Sequence, residues 1–282
     1  MPGQLYLVGT PIGNLNDMSP RAVEMLRGAD LIAAEDTRNS IKLLNHFDIK
    51  VPMTSYHEYN KIDKAHELVS RLLEGMNIAL VTDAGMPAIS DPGEDLVRMA
   101  MDAGIVVSVV PGPSAVVSAL AISGQKTRRF VFEGFLPADK KEREEILEEL
   151  KDETRTIILY EAPHRLGRTL ALLKDVLGEG RSISLVRELT KLHEEVWKTN
   201  LGEAEKAYSE DGKTPRGEYV LVIEGRSREE ILEEKHSEWD RLSIPEHVKL
   251  YEDRGDDRKT AMKKVALERG ISKRDVYQAC LE

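Results

Sequence analysis

Cysteine is nearly missing from this chain: Cys280 is the single one in 282 residues. One thiol cannot build an intramolecular disulfide framework, and it suits a reducing cytoplasm. No apolar run approaches the length of a membrane span, and the N-terminus lacks a charged segment leading into a signal-type apolar stretch. A cytoplasmic protein with no membrane partner is therefore expected. Seven histidines occur, but none stands with Cys, His or Glu at a metal-ligand spacing such as H-E-x-x-H, so no metal site is expected. The glycines of G-x-G-x-x-G are missing where a first strand ends, and no Gly-Lys-Ser/Thr follows it. A dinucleotide fingerprint and a Walker loop are both excluded.

What stands at that first strand end is Gly9-Thr10-Pro11-Ile12-Gly13-Asn14-Leu15, after the apolar run Leu5–Val8. A strand that stops in such a turn places backbone rather than bulky side chains against a ligand. The length allows two or three domains, each able to bury a core. Hydrophobic residues at 41% and charged residues at 32% describe an ordinary globular composition. The net charge of −10 argues against a coat for nonspecific nucleic-acid binding. The tail departs from this average, since Arg254–Glu282 holds eight Lys/Arg against five Asp/Glu. The acidity sits in Glu142–Glu153 and Glu229–Glu238, read as solvated helix faces.

Short apolar runs alternate with amphipathic helical patterns, which predicts buried, mainly parallel strands with helices on both faces. Strands are predicted at Gln4–Val8, Leu31–Ala34, Met53–Tyr56, Ile78–Thr82, Val106–Val110, Phe130–Glu133, Thr156–Tyr160, Ile183–Arg187, Glu195–Thr199 and Tyr219–Ile223. Helices are predicted at Ser19–Arg27, Asp63–Leu73, Ser114–Ser123 (small and apolar all round, hence buried), from the acidic run to Lys151, and at Leu166–Leu177. Arg226–Glu238 reads as a polar helix. Ala261–Arg269 and Ser272–Leu281 read as two helices joined at Gly270-Ile271, with Ser272 as cap. Ala266, Gly270 and Val276 have helix-turn-helix spacing, and a plain helical appendage or dimerisation tail is the other reading. Domain boundaries are placed so that 1–111 and 112–226 are two α/β domains and 227–282 a helical tail.

Three more Gly/Pro turns fall at strand ends: Thr82–Gly93, Pro111–Ser114 and Glu133–Pro137. Ligands of open α/β sheets bind at the carboxyl ends of strands, so these turns imply one shared cleft. Nine motifs in register then carry a resemblance. They are Thr10–Leu15, Ala34–Arg38, Asp83-Ala84-Gly85-x-Pro87, Ser90–Gly93, Pro111–Pro113, Glu133–Pro137, Tyr160-Glu161-x-Pro163-His164-Arg165, Arg187–Lys191 and Gly217–Leu221. In order and spacing they resemble the ribosomal RNA small-subunit methyltransferase I family of the tetrapyrrole methylase superfamily, over about residues 4–226. Gly9 stands where many relatives have another residue, and Met86 and Ala88 where Thr and Gly are usual. Asp83, Gly85 and Pro87 keep the pattern.

The resemblance implies two α/β domains with S-adenosylmethionine in the cleft between them, a homodimer, and 2′-O-methylation of a cytidine ribose in the decoding region of small-subunit rRNA. The partner is then ribosomal RNA or the small ribosomal subunit. It further implies that Ile12, Asp83, Met86, Ser114, Ala115 and Tyr160 border the cofactor. Glu218 either approaches the adenine end or is an edge-strand carboxylate. Asp83 has a second reading as a turn-stabilising Asx residue, and Ser114 as a helix cap. On the substrate side stand Asp36, Arg38, His57, Asn60, Glu161, Arg165, Arg187 and Lys191, of which Arg38, Arg165, Arg187 and Lys191 suit phosphates. Glu161 and Arg165 also read as an i,i+4 ion pair. His164 and Glu188 are candidate proton acceptors, and no base at all is the alternative. Two other functions stay open: methylation of a tetrapyrrole precursor, and a ligand-sensing nucleic-acid-binding regulator.

Overall fold

The computed structural model describes residues 1–209, 212–227, 229–231, 239 and 242–281. By their internal contacts they form two compact units, Met1–Leu150 with Arg155–Glu224, and Lys151–Thr154 with Gly225–Glu282. The first unit carries both of the five-stranded sheets. Residue 111 falls between the last strand of the first sheet and the helix that follows it.

The first sheet contains β1 (Gln4–Val8), β2 (Leu31–Ala34), β3 (Met53–Ser55), β4 (Ile78–Val81) and β5 (Val106–Val110), in the order β3-β2-β4-β1-β5. All of its pairings are parallel. Every residue of β2 and β4 is buried, because helices cover both faces. On one face lie α3 (Lys61–Leu73) and α4 (Gly93–Asp102), whose Leu68, Leu72 and Leu96 pack on Leu5, Ile78 and Leu80. On the other, α1 (Pro20–Gly28) and α2 (Thr37–His46) supply Leu26 and Leu44 to a core with Val8, Ile32 and Val81. Helix α1 starts as its sequence predicts: the Ser19 hydroxyl accepts from the Ala22 amide, with Pro20 in the first turn.

The second sheet contains β6 (Phe130–Phe135), β7 (Thr156–Glu161), β8 (Ser182–Arg187), β9 (Glu195–Asn200) and β10 (Tyr219–Ile223), in the order β6-β7-β10-β8-β9. The expectation of mainly parallel strands fails here. Only β6–β7 is parallel, while β10 runs antiparallel to both its neighbours and β8 to β9. An apolar run reports that a strand is buried, not which way its neighbour points. Strand β10 is wholly buried and alternates: Tyr219, Leu221 and Ile223 face one core, Val220 and Val222 the other. The first core is closed by α6 (Lys140–Lys151), α7 (Leu166–Leu177) and α8 (Leu201–Ala207). Leu166, Leu170, Leu173 and Leu177 form the buried stripe of α7, where truncating one leucine to alanine costs about 2–5 kcal/mol. The second core is closed by α5 (Ala115–Ile122). This helix is not buried all round, since Val117 and Ile122 face outward.

In the second unit, helices Ile244–Asp253, Arg258–Glu268 and Lys273–Ala279 enclose Val248, Ala261, Val265, Ala266 and Val276. Gly270 takes the left-handed conformation between the last two (φ 63°), and Ser272 caps the final helix in a reciprocal box with Asp275. The helix expected over Arg226–Glu238 falls largely on residues 232–238, which lie outside the described residues. Among the described residues, no helix is long and apolar enough to cross a membrane. No group of three or more His, Cys, Asp or Glu side chains is placed to hold a metal ion among them either.

Candidate functional site

The order of the first sheet sorts the strand-end turns along its carboxyl edge. From β5 to β3 they run Pro111–Ser114, Gly9–Asn14, Thr82–Gly93, Glu35–Arg38 and Tyr56–Asn60. The first three of these turns are tied together, chiefly by backbone. Thr10 and Gly85 exchange N–H···O bonds of 2.9 and 3.2 Å, and the buried Thr10 hydroxyl donates to the Thr82 carbonyl at 3.3 Å. Gly9 and Gly112 lie in direct backbone contact, and the Gly112 amide donates to the Met86 sulfur at 3.2 Å. Gly85 holds φ 87°, with Ile12 and the Pro113 carbonyl around the place a Cβ would take.

The first four of these turns and the second sheet border a cleft of about 470 Å³. Of the residues expected beside a cofactor, Ile12, Met86, Ser114, Ala115, Tyr160 and Glu218 line this cleft. Ser114 occupies the N-cap of α5, yet its hydroxyl makes no capping hydrogen bond. Burial raises the Tyr160 phenol above its usual pKa, against the opposing effect of the Val116 amide. Asp83 does not line the cleft. It is exposed, and its carboxylate accepts from the Asp36 amide at 3.1 Å and from the Asn39 side chain at 3.2 Å, so it ties the β4 turn to the β2 turn.

Several lining residues were not singled out from the sequence, although each lies inside one of the strand-end turns or motifs: Glu35, Ile89, Asp91 and Phe135. The Glu35 carboxylate accepts from the Thr82 hydroxyl at 2.6 Å. Asp91 Oδ1 accepts from the Ala88 and Gly93 amides at 3.0 and 2.7 Å, while Oδ2 is buried with no hydrogen-bond partner. Burial raises the Asp91 pKa, and the nearby charge of Glu35 adds to the rise. Ala88 and Ser90 hold left-handed backbone (φ 67° and 62°), a conformation that costs non-glycine residues about 1–3 kcal/mol each.

The residues expected on the substrate side divide. Asp36 caps α2 through the Arg38 amide (2.8 Å) and grips the Arg38 guanidinium with both oxygens. That hydrogen-bonded pairing lowers the Asp36 pKa to about 2. Arg38 is 87% exposed at its side chain. His57 and Asn60 sit together beyond β3, with the His57 amide donating to Asn60 Oδ1 at 2.8 Å and His57 Nδ1 buried without a partner. Glu161 lines the cleft only as part of its wall. Its side chain is fully buried and accepts from the Ala162 amide (2.7 Å) and the Thr169 hydroxyl. Arg165 lies 3.6 Å from it and donates to the Leu136 carbonyl at 2.6 Å. The carboxylate is thus committed to contacts within the fold. Arg187 pairs with Glu195 at 2.9 Å.

The two candidate proton acceptors, His164 and Glu188, have different surroundings. His164 is exposed on the short turn Pro163–Arg165 and does not line the cleft. Glu188, in left-handed backbone (φ 51°), accepts from Lys191 Nζ at 2.9 Å and from the Glu218 amide at 3.0 Å. The bond from Lys191 holds its pKa below the usual carboxylate value, which makes it a weak proton acceptor. Lys191 also reaches the Glu218 carboxylate at 2.9 Å, and its stem fills the space over Gly13.

Two α/β sheets whose turns enclose one cleft define the class. The family described as Tetrapyrrole (Corrin/Porphyrin) Methylases matches residues 4–205. Solved structures with the same fold include uroporphyrin-III C-methyltransferase from Thermus thermophilus (TM-score 0.56, 20% identity, 78% of this chain and 94% of that one). Another is a diphthine synthase (TM-score 0.62, 14% identity, 79% and 90%). The chain belongs to the tetrapyrrole methylase family, and within it to the group of ribosomal RNA small subunit methyltransferase I proteins. Such a protein of Synechocystis sp. is 47% identical over 99% of this chain and 98% of its own length. That of Halalkalibacterium halodurans is 50% identical over 98% and 93%.

Proposed function

We propose that this chain transfers a methyl group from S-adenosylmethionine to the ribose 2′-oxygen of a cytidine in the decoding region of small-subunit ribosomal RNA. The observation that carries the reading is the cleft itself, enclosed by the strand-end turns of both sheets in a chain about half identical to proteins of that name. Its lining suits such a donor. Glu35 and Glu218 bring carboxyl groups to a site for a cationic sulfonium, and the Gly9–Gly112 contact leaves backbone where side chains would fill the space.

When bound, the donor supplies an already activated methyl group. The chain's own part is therefore position more than proton transfer. Holding two reactants in line contributes on the order of 7–11 kcal/mol in well-oriented systems. Ile12, Met86 and Ala115 form the apolar bed, the uncommitted Ser114 hydroxyl offers a hydrogen bond, and Tyr160 closes the wall from the second sheet. The Lys191 bridge to Glu188 and Glu218 fixes the turn that covers Gly13. Arg38, the most exposed of the four expected phosphate contacts, meets the RNA backbone from outside. No side chain is assigned as general base, because Glu188 is already held by Lys191 and His164 stands away from the cleft.

The reading includes a cytoplasmic homodimer acting on rRNA or on the small subunit. Val106 and Val109 on the open edge of β5, with Val117 of α5, are exposed apolar side chains suited to a second copy. Incubating the chain with methyl-labelled donor and unmodified small subunits should place one label on a decoding-region cytidine ribose. Label on a tetrapyrrole precursor instead, or on a base atom, overturns the reading.

A further inference from the structure

Phe135 is one of only four phenylalanines in the chain, yet it stands 51% exposed at the edge of the cleft. Its direction is set by a defect in β6. The register against β7 shifts between Phe132 and Gly134, so that Phe132 pairs with Ile158 and Phe135 with Tyr160. In a regular strand, residues three apart point to opposite faces. The bulge puts both phenylalanines on the same face, and both rings touch Tyr160, with centroids 4.9 and 5.6 Å away. Bulges recur beside active sites because one extra residue re-aims a side chain. Here Gly134 takes φ 64°, and a Cβ on it would lie 2.9 Å from the Ser90 hydroxyl of the opposite turn. Chain regularity is thus given up to hold an aromatic ring half in solvent.

We propose that Phe135 is the surface on which the base of the target nucleotide stacks, an assignment that rests on the function proposed above. A ribose oxygen that meets the donor inside a cleft of about 470 Å³ carries its base in with it. That base leaves its neighbours in the RNA, and an aromatic face replaces the stacking it gives up. Ile89, 54% exposed, lines the cleft from the first sheet's side and supplies an apolar surface for the same guest. Glu35 lines the same cleft, and its carboxyl group disfavours phosphates there, so a nucleoside is what enters. Gly134, the neighbour of Phe135, meets the Ser90 turn that follows β4, whereas Ser114 and Ala115 follow β5, with β1 between the two strands. The base is assigned to the first of these places and the donor to the second.

The test compares Phe135→Leu, Phe135→Ala and Phe135→Tyr on unmodified small subunits with labelled S-adenosylmethionine, alongside donor affinity measured calorimetrically without RNA. Leucine keeps apolar bulk and loses the π face. Both Leu and Ala variants should lower kcat/KM for the subunit by about tenfold or more, with donor affinity within about twofold, and tyrosine should restore the rate. A loss of donor affinity in Phe135→Leu would assign the ring to the donor and overturn the proposal. Wild-type kinetics in Phe135→Leu would overturn it as well. Absence of transfer by the unaltered chain would instead overturn the function on which it rests, and the assignment with it.

Discussion

Gly9 and Gly112 touch backbone to backbone where the turns after β1 and β5 cross. A Cβ built on Gly9 would lie 2.7 Å from the Gly112 Cα, and one on Gly112 would lie 2.8 Å from the Gly9 Cα. Neither position has a left-handed φ, so the requirement is space alone. A methyl at either place pushes apart two walls of the proposed donor site. Gly9→Ala and Gly112→Ala should each destabilise the chain by roughly 1–3 kcal/mol through overpacking, and should weaken donor binding more than any glycine change outside the cleft. Gly104→Ala is a fair reference for backbone strain, since its φ of 73° is left-handed but open space surrounds it. Thermal melts and a donor titration on the three variants decide. Equal donor affinity in Gly9→Ala and the wild type would mean the crossing does not shape the site.

Ser114 separates two roles that its sequence position leaves merged. Serine before a helix ordinarily caps it, and loss of such a cap costs about 1 kcal/mol. Here the hydroxyl makes no bond to its helix. Ser114→Ala should therefore change the melting temperature little, while donor affinity drops about two- to tenfold for one lost hydrogen bond. A clear fall in stability with unchanged donor affinity would restore the capping role and remove the residue from the site.

The motifs located the cleft from sequence because glycine and proline announce where strands end. They could not show which side chains turn inward. In Met86–Asp91 the left-handed Ala88 and Ser90 break the alternation by which facing is read, and so Ile89 and Asp91 were missed. In β6 the bulge does the same for Phe135. Asp36 and Arg38 drew notice as functional polar residues, yet they also begin α2, with Asp36 as its cap. Helix α4 opens at Pro92-Gly93, a pair that reads as a turn, and Pro92 has no side chain to signal a cap. The helix Ile244–Asp253 did carry its signal, a Ser243–Glu246 capping box with Pro245 in the first turn. The second sheet's antiparallel order had no local signal, because pairing direction is a long-range property.

Asp91 should make the fold sensitive to pH in a direction opposite to that of an ion-paired carboxylate. Burial raises its pKa in the folded chain, so the fold favours the neutral acid. The stability linked to that proton is fully present below the ordinary aspartate pKa of about 3.9 and is lost as pH rises through the folded value. Asn keeps an oxygen for the Ala88 and Gly93 amides and never ionises. Asp91→Asn should match or exceed the wild-type melting temperature at pH 7, with its advantage shrinking towards pH 4. A variant that is less stable at pH 7 than at pH 4, relative to wild type, would show that the carboxylate is ionised and partnered.

Glu188 behaves the other way, and Lys191 is the cause. The Lys191 bond depresses the Glu188 pKa. Burial opposes the charge on Lys191, but its bonds to Glu218 and Glu188 outweigh that, and its own pKa rises. The contribution of the pair is present above the ordinary glutamate pKa of about 4.3 and disappears as pH falls through the lower folded value. Lys191→Met keeps the stem that packs over Gly13 and removes only the charge. Its stability deficit should be largest near neutrality and should close as the medium is acidified below about pH 4. At neutral pH the same variant leaves Glu188 and Glu218 unneutralised beside the cleft, so transfer to the RNA should fall through a higher KM rather than a lower kcat. Denaturant unfolding at pH 3.5, 5 and 7 tests the first part, and steady-state kinetics on small subunits the second. A deficit of constant size across that range would mean that the stem of Lys191, and not its ammonium group, secures the turn.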